Sequence, residues 1–156
     1  MAGSVESIFI ATRAEGATQA VDEIRAAAGH GLEGDRYFAG NGTYSVPRTP
    51  GRDITLIEAE AVERLASEHG VVLEPGQARR NVVTRGIGLN ELVGRRFTVG
   101  EVECVGRRLC DPCSHLEQLT QPGVLKGLVN RGGLRADVVT DGRIAVGDPV
   151  SDLGPA

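Results

Sequence analysis

Short apolar segments rich in β-branched residues recur along the chain and are separated by glycine, proline and charged residues. Such a pattern is typical of strands that pack one face on a core. It predicts about seven or eight short strands. The segments that carry this pattern are 5–12, 53–57, 79–84, 95–99, 102–105, 135–140 and 143–146. Residues 21–28 are ambiguous, because Val21, Ile24 and Ala28 would share a helical face, and a strand or extended segment is the preferred interpretation.

Helical periodicity is confined to a few segments. Residues 58–69 are good helix formers with Val62 and Leu65 on one face, and Gly70 provides a stop. Residues 89–92 predict a single helical turn, and shorter helices are predicted at 114–119 and 124–130. The glycines and prolines of 40–51 predict a long surface loop.

Two dipeptides have the composition of tight hairpin turns. Gly100-Glu101 separates two predicted strands, and Asp141-Gly142 separates the last two. The tail after Asp152 is expected to fray. Many strands with few helices favour a closed or strongly curved sheet over alternating βαβ units, so we expect one mainly β domain over residues 1–156.

Composition and charge exclude several classes of protein. The net charge is −4 with no block of like charges, which argues against a nucleic-acid partner. No apolar stretch approaches the ~20 residues of a membrane span, and the first residues lack the pattern of a signal peptide. We therefore expect a cytoplasmic protein that does not bind membranes.

The three cysteines are too few and odd in number for a secreted disulfide framework, which favours free thiols. Cys104 alternates with Val102 on a predicted strand and is expected in the core. Cys110 and Cys113 form a Cys-x-x-Cys pair, which suits a redox dithiol, half a zinc site or one functional thiol. A second pair of zinc ligands and a βαβ context are both absent from the pattern, which disfavours the first two alternatives.

Cys113 is the strongest candidate for chemistry. It precedes the predicted helix 114–119, where unpaired N–H groups and the helix dipole favour a thiolate. His115 and Arg108 are close in sequence and could add positive charge.

Several arginines lie next to glycine, proline or strand ends, where side chains can converge on a cleft. Their guanidinium groups suit phosphate and carboxylate, which predicts an anionic small-molecule ligand, and Asp35 is a candidate ion-pair or capping partner. These arginines are Arg36, Arg48, Arg52, Arg79, Arg80 and Arg131.

Five segments together resemble the MOSC domain, the module named for the C-terminal part of molybdenum cofactor sulfurases. The resemblance is clearest over residues 29–150. The segments are GHGLEGDRY (29–37), DITLIEAEAVERL (53–65), PGQARRNVVTRGIGLNELVGRRFTVGEVE (75–103), LCDPCSHLE (109–117) and RGGLRADVVTDGRIAVGDPV (131–150).

This resemblance implies a β-barrel fold with a few peripheral helices and a functional cysteine that matches Cys113. It implies that this cysteine would be the thiolate ligand of molybdenum in molybdopterin, or would carry a persulfide. The matching pocket residues are Asp35-Arg36 and Arg80-Asn81. The glycine turn that begins at Arg131 matches a turn near the same end of the barrel.

Three hypotheses about function follow. In the first, Cys113 ligates molybdenum, Arg36 and Arg80 pair with the pterin phosphate, and an electron-donor protein supports reduction of N-hydroxylated substrates. The second is sulfur chemistry without metal or pyridoxal phosphate: Cys113 carries a persulfide from a sulfur donor or cleaves a carbon–sulfur bond, with His115 or Asp35 as proton donor. The third is a non-catalytic module that binds a pterin or a partner protein.

Overall fold

The computed structural model describes residues 2–11, 18–35, 51–73, 76, 79–110 and 131–156. The predicted helices 114–119 and 124–130, and all but the last residue of the predicted loop 40–51, lie outside this part. The strands are β1 Ala2–Ile10, β2 Gln19–Val21, β3 Glu23–Ala27, β4 Gly31–Leu32, β5 Ile54–Glu58, β6 Val82–Arg85, β7 Arg95–Val99, β8 Val102–Leu109, β9 Leu134–Val138, β10 Gly142–Ala145 and β11 Pro149–Pro155. The helices are α1 Ala59–His69 and a 3₁₀ helix, Leu89–Leu92.

Seven strands close into a mixed β-barrel, as the sequence predicts. Their order around the barrel is β1, β11, β7, β8, β9, β5 and β6, and β6 pairs with β1 again. Only β5 and β6 of this ring run parallel, with Leu56 opposite Val82, and α1 connects them. Closure leaves no free barrel edge along these strands, which removes a template for pairing with other chains.

A smaller three-stranded sheet, with the order β10, β3 and β4, lies beside the barrel. β2 adds to the end of β1 beyond the point where β1 leaves β11. The predicted strand 21–28 is therefore confirmed, although it belongs to this second sheet.

Two hydrophobic clusters fill the structure. The larger cluster occupies the barrel interior and is closed by the 3₁₀ helix, with Phe97, Ile8, Leu56 and Leu134 fully buried. The smaller one lies between α1 and the outer faces of β1, β5 and β6. With no tryptophan available, aliphatic side chains supply nearly all of this packing.

Local signals at helix and turn positions are confirmed. α1 ends at Gly70, whose φ of 67° is the left-handed conformation that favours glycine at a helix end. Val99 and Val102 are opposite each other in β7 and β8, so Gly100-Glu101 is a two-residue hairpin turn. Gly100 has the positive φ, 59°, expected at the first central position.

Three local predictions are wrong. β6 begins at Val82, three residues later than the predicted start, because Arg79 has a φ of 59° that no strand contains. The tail after Asp152 is paired with β7, since Gly154 lies opposite Arg96 and an Arg95–Asp152 ion pair joins the two strands.

The predicted hairpin at Asp141-Gly142 is also wrong. β9 is already paired on both edges, with β8 and β5, so β10 leaves the barrel and pairs with β3. The Asp141 carboxylate accepts a hydrogen bond from the Ala28 N–H at 2.7 Å. Asp141-Gly142 therefore lies where the chain passes from β9 of the barrel to β10 of the smaller sheet.

Within the described ranges, neither helix has the length and apolar character needed to span a lipid bilayer.

Candidate functional site

One lateral row of side chains crosses five neighbouring strands on the outer face of the barrel. The row consists of Phe9, Asn81, Thr55, Arg135 and Arg108. Val82 is opposite both Ile8 and Leu56, whose side chains point into the core. Side chains alternate along a strand, so Asn81, which precedes Val82, lies on the outer face of the barrel between Phe9 and Thr55.

Asn81 is the centre of a hydrogen-bond network in this row. Its Oδ1 accepts bonds from the backbone N–H and the hydroxyl of Thr55 at 3.0 and 3.1 Å. Its Nδ2 donates to the carbonyl of Phe9 at 3.1 Å and to Oδ1 of Asp35 at 3.4 Å. The amide can make these contacts in only one orientation, so the network fixes it.

Asp35 is buried and joins two distant segments of the chain. Its Oδ1 accepts a hydrogen bond from the N–H of Ala11 at 3.0 Å as well as the bond from Asn81. The side chain is 7% exposed. The structure therefore brings together two of the predicted site residues, Asp35 and Asn81.

A cleft with about 470 Å³ of empty space, part of it open to solvent, lies over this network. It is lined by Phe9, Ala11, Thr18, Asp35, Thr55, Arg79, Arg80, Asn81 and Arg135. Three arginines and one carboxylate give the lining an excess of positive charge. This chemistry suits an anionic guest, since guanidinium groups bind phosphate and carboxylate in a bidentate manner.

Arg79 and Arg80 reach the cleft from the segment just before β6. Arg79 is the only non-glycine residue of the described part with a positive φ. Such a conformation is unfavourable for a residue with a Cβ, and strain of this kind is concentrated at functional sites. Arg80 is buried, and its Nε donates to the carbonyl of Gly132 at 2.8 Å.

The glycine turn at 131–133 therefore lies beside the cleft. Gly133 has a φ of 108°, and a Cβ at this position would collide with the carbonyl of Leu56. Arg131 itself does not line the cleft. It forms an ion pair with Glu68 of α1 at 2.9 Å, and this hydrogen bond lowers the pKa of Glu68.

The predicted residues Cys113, His115 and Arg36 lie outside the described residues, as does Arg48. Cys110, which ends the described part of this region, is buried, and its N–H donates to the carbonyl of Gly133 at 2.7 Å. Cys110 and Arg80 therefore both donate hydrogen bonds to the same glycine turn.

Cys104 is a core residue, as the sequence predicts. It is fully buried in the barrel interior, and burial raises the pKa of its thiol far above the usual range, with smaller contributions from Asp53, Glu103 and Asp137. This thiol stays protonated and is inert at neutral pH.

Five lining residues of the cleft were missed in the sequence, and two of them, Thr55 and Arg135, belong to paired barrel strands. Thr55 and Arg135 lie opposite each other on β5 and β9. Both occupy outward positions of strands whose alternate residues are core, a period of two that is visible in the segments ITLIE and LRADV. The alternation shows that the two side chains face outward, but it does not show that they line a cleft.

Comparisons with known proteins agree with this fold. Residues 43–151 match the sequence profile of the family described as MOSC domain. The crystal structure of the YuaD protein from Bacillus subtilis has a TM-score of 0.78 and 21% identity, with 96% of this chain and 94% of that chain covered.

Two further crystal structures are similar. YiiM from Escherichia coli has a TM-score of 0.70 and 19% identity over 100% of this chain and 71% of that chain. YiiM from Geobacillus stearothermophilus has a TM-score of 0.70 and 16% identity over 97% of this chain and 75% of that chain. No curated protein sequence matches the chain. At these identities the structural likeness establishes the fold alone.

Proposed function

Since the chain belongs to the MOSC domain family, we propose that it binds the pterin of the molybdenum cofactor in the arginine-lined cleft, with Cys113 as the thiolate ligand of the metal. The family is linked to binding of this cofactor or its pterin and to sulfur chemistry. One observation carries the proposal: three arginines line a cleft in which Asp35, Thr55 and Asn81 form a fixed hydrogen-bond network.

The lining suits the two ends of a phosphorylated pterin. Arg79, Arg80 and Arg135 would hold the phosphate, because a dianion gains most from several guanidinium groups in a partly enclosed site. Asp35 would accept hydrogen bonds from the N–H groups of the pterin ring, and Asn81 keeps its carboxylate in place. The aromatic face of Phe9 adds an apolar surface for a flat ring.

Cys110, three residues before Cys113 in the sequence, supports this assignment. Cys110 is bonded to the turn that also accepts the hydrogen bond of Arg80. In the proposed complex the Cys113 thiolate would reach the metal from this turn, since three residues of chain span at most about 11 Å. A soft thiolate is a suitable ligand for molybdenum, which would supply redox chemistry when bound.

We test the proposal with protein made in a host that synthesises the cofactor. Molybdenum and pterin are measured per folded chain in the wild type, C113S, R135A and the control R96A, whose arginine lies on β7 in an ion pair with Glu103. We expect near-stoichiometric molybdenum and pterin in the wild type and in R96A. C113S should lose molybdenum, and R135A should lose pterin as well.

Folded wild-type protein without pterin or molybdenum would refute this proposal. In that event a one-sulfur mass increase on Cys113, after incubation with a sulfur donor, would support the metal-free alternative of persulfide carriage. The proposal includes a partner protein that delivers electrons or sulfur. This partner would be identified by testing which donor protein supports turnover of a substrate by the purified chain.

A further inference from the structure

The lateral row of side chains on the outer face continues past the cleft to a further arginine, Arg108. Arg108 on β8 lies directly opposite Arg135 on β9. Like charges at such a cross-strand position are destabilising, because the two Cβ atoms are only about 5 Å apart. A negatively charged group bound at this pair would relieve the repulsion.

The acidic residue nearest in the strand pattern does not supply that charge. Asp137 accepts a hydrogen bond from Nε of Arg107 through one carboxylate oxygen and from the N–H of Gly51 through the other, both at 2.7 Å. Over the described ranges, neither Arg108 nor Arg135 forms an ion pair or a side-chain hydrogen bond. Both are therefore available to an anion from solution.

The backbone of Gly51 lies against the same pair. A Cβ on this glycine would be 3.2 Å from Cβ of Arg135 and 3.7 Å from Nε of Arg108. Gly51 has a φ of 85°, a conformation that favours glycine. The absence of a side chain at this position leaves room beside both guanidinium stems.

The length of the row exceeds what one phosphate can contact. Neighbouring strands are about 4.8 Å apart, so the three steps from Asn81 to Arg108 cover about 14 Å. Arg135 is the shared element, because it lines the cleft and faces Arg108. One anionic group fits between Arg135 and the arginines before β6, and a second fits between Arg135 and Arg108.

We propose that Arg108 and Arg135 form a second anion subsite, so that the ligand of the cleft is a diphosphate ester, such as a pterin joined to a nucleoside through a diphosphate. This inference rests on the proposed function for the identity of the pterin end. The subsite itself depends only on the arginine pair and can be tested with inorganic anions.

The experiment compares binding of inorganic phosphate and pyrophosphate by calorimetry at one low ionic strength. Wild type, R108A, R135A and R96A are used, and R96A controls for the loss of one positive charge elsewhere on the barrel. Arg108 is exposed, so R108A is expected to fold, and its melting temperature is checked.

We expect wild type and R96A to bind pyrophosphate about ten-fold or more tightly than phosphate, as one or two charge-assisted bonds allow. R108A should lose most of this preference while its affinity for phosphate changes by less than about two-fold. R135A should weaken both anions.

Equal affinity of the wild type for the two anions, or equal losses in R108A and R96A, would overturn the second subsite. A chain that lacks pterin and molybdenum yet keeps the Arg108-dependent preference would refute the proposed function and leave the subsite supported.

Discussion

Asn81 and Thr55 exchange three hydrogen bonds across the parallel strand pair of the barrel. The Asn81 N–H donates to the Thr55 hydroxyl at 3.0 Å, and the Thr55 N–H and hydroxyl donate to the Asn81 side chain. These bonds complete the pairing of β5 and β6 just before β6 begins. They also orient the amide that contacts Asp35, so one interaction serves both the fold and the cleft.

N81A should destabilise the fold by about 2–3 kcal/mol, because several partly buried groups lose hydrogen-bond partners at once. The free energy of unfolding is measured by urea denaturation. S67A is the control: its hydroxyl makes one long bond on the exposed surface of α1, and the change should stay within about 0.5 kcal/mol. A loss below about 1 kcal/mol in N81A would show that the network is dispensable.

R79G should be more stable than R79A by about 1 kcal/mol. Both variants lose the same guanidinium, but glycine adopts the positive φ of this position without a Cβ penalty. Both should also bind anions more weakly than the wild type. Thermal melts compare the two variants, and equal stability would argue that the backbone at 79 relaxes after substitution.

G51A should weaken pyrophosphate binding, because its Cβ would press on the stems of Arg135 and Arg107. G70A is the matched control, since Gly70 also has a positive φ but has open space around its Cβ position. Both substitutions should lower stability by about 1–2 kcal/mol. Only G51A should change the calorimetric affinity, and an equal effect in G70A would contradict the close approach.

The Arg95–Asp152 ion pair should make a small part of the stability of the fold dependent on pH. The Asp152 carboxylate accepts hydrogen bonds from the Arg95 guanidinium and from the N–H of Gly154, and both lower the pKa of Asp152 in the folded state. The stabilisation is therefore complete above the unfolded-state pKa of about 3.9 and is lost as the pH falls through the lower folded value. A double-mutant cycle with R95Q and D152N should give a coupling free energy at pH 7 that decreases as the carboxyl group is protonated in acid. A coupling that acid leaves unchanged would show that it does not come from this ion pair.

Cys104 should resist alkylation in the folded protein. Burial raises the pKa of its thiol, so the reactive thiolate is nearly absent at pH 8 and the sulfur is also inaccessible. Iodoacetamide labelling followed by peptide mass mapping should show modification of Cys104 only after denaturation. Labelling at the same rate with and without urea would contradict its position in the core.

The sequence by itself determined the features that depend on neighbouring residues. The helix Ala59–His69, its glycine stop and the turn at Gly100 follow from local propensity and backbone freedom. The ordered motifs identified the family, and through it three of the residues that line the cleft: Asp35, Arg80 and Asn81. These motifs can be recognised in the sequence because each consists of a short run of consecutive residues.

Tertiary structure decided which edges and faces meet. The composition of Asp141-Gly142 suits a hairpin, but closure of the barrel leaves β9 without a free edge, so β10 pairs with β3. Arg131 begins the glycine turn beside the cleft, but its guanidinium forms an ion pair with Glu68 of α1. Thr55 and Arg135 join the cleft only because strand register aligns residues that are distant in sequence. Pairing partners depend on the free edges of the whole sheet, a long-range property that no local pattern contains.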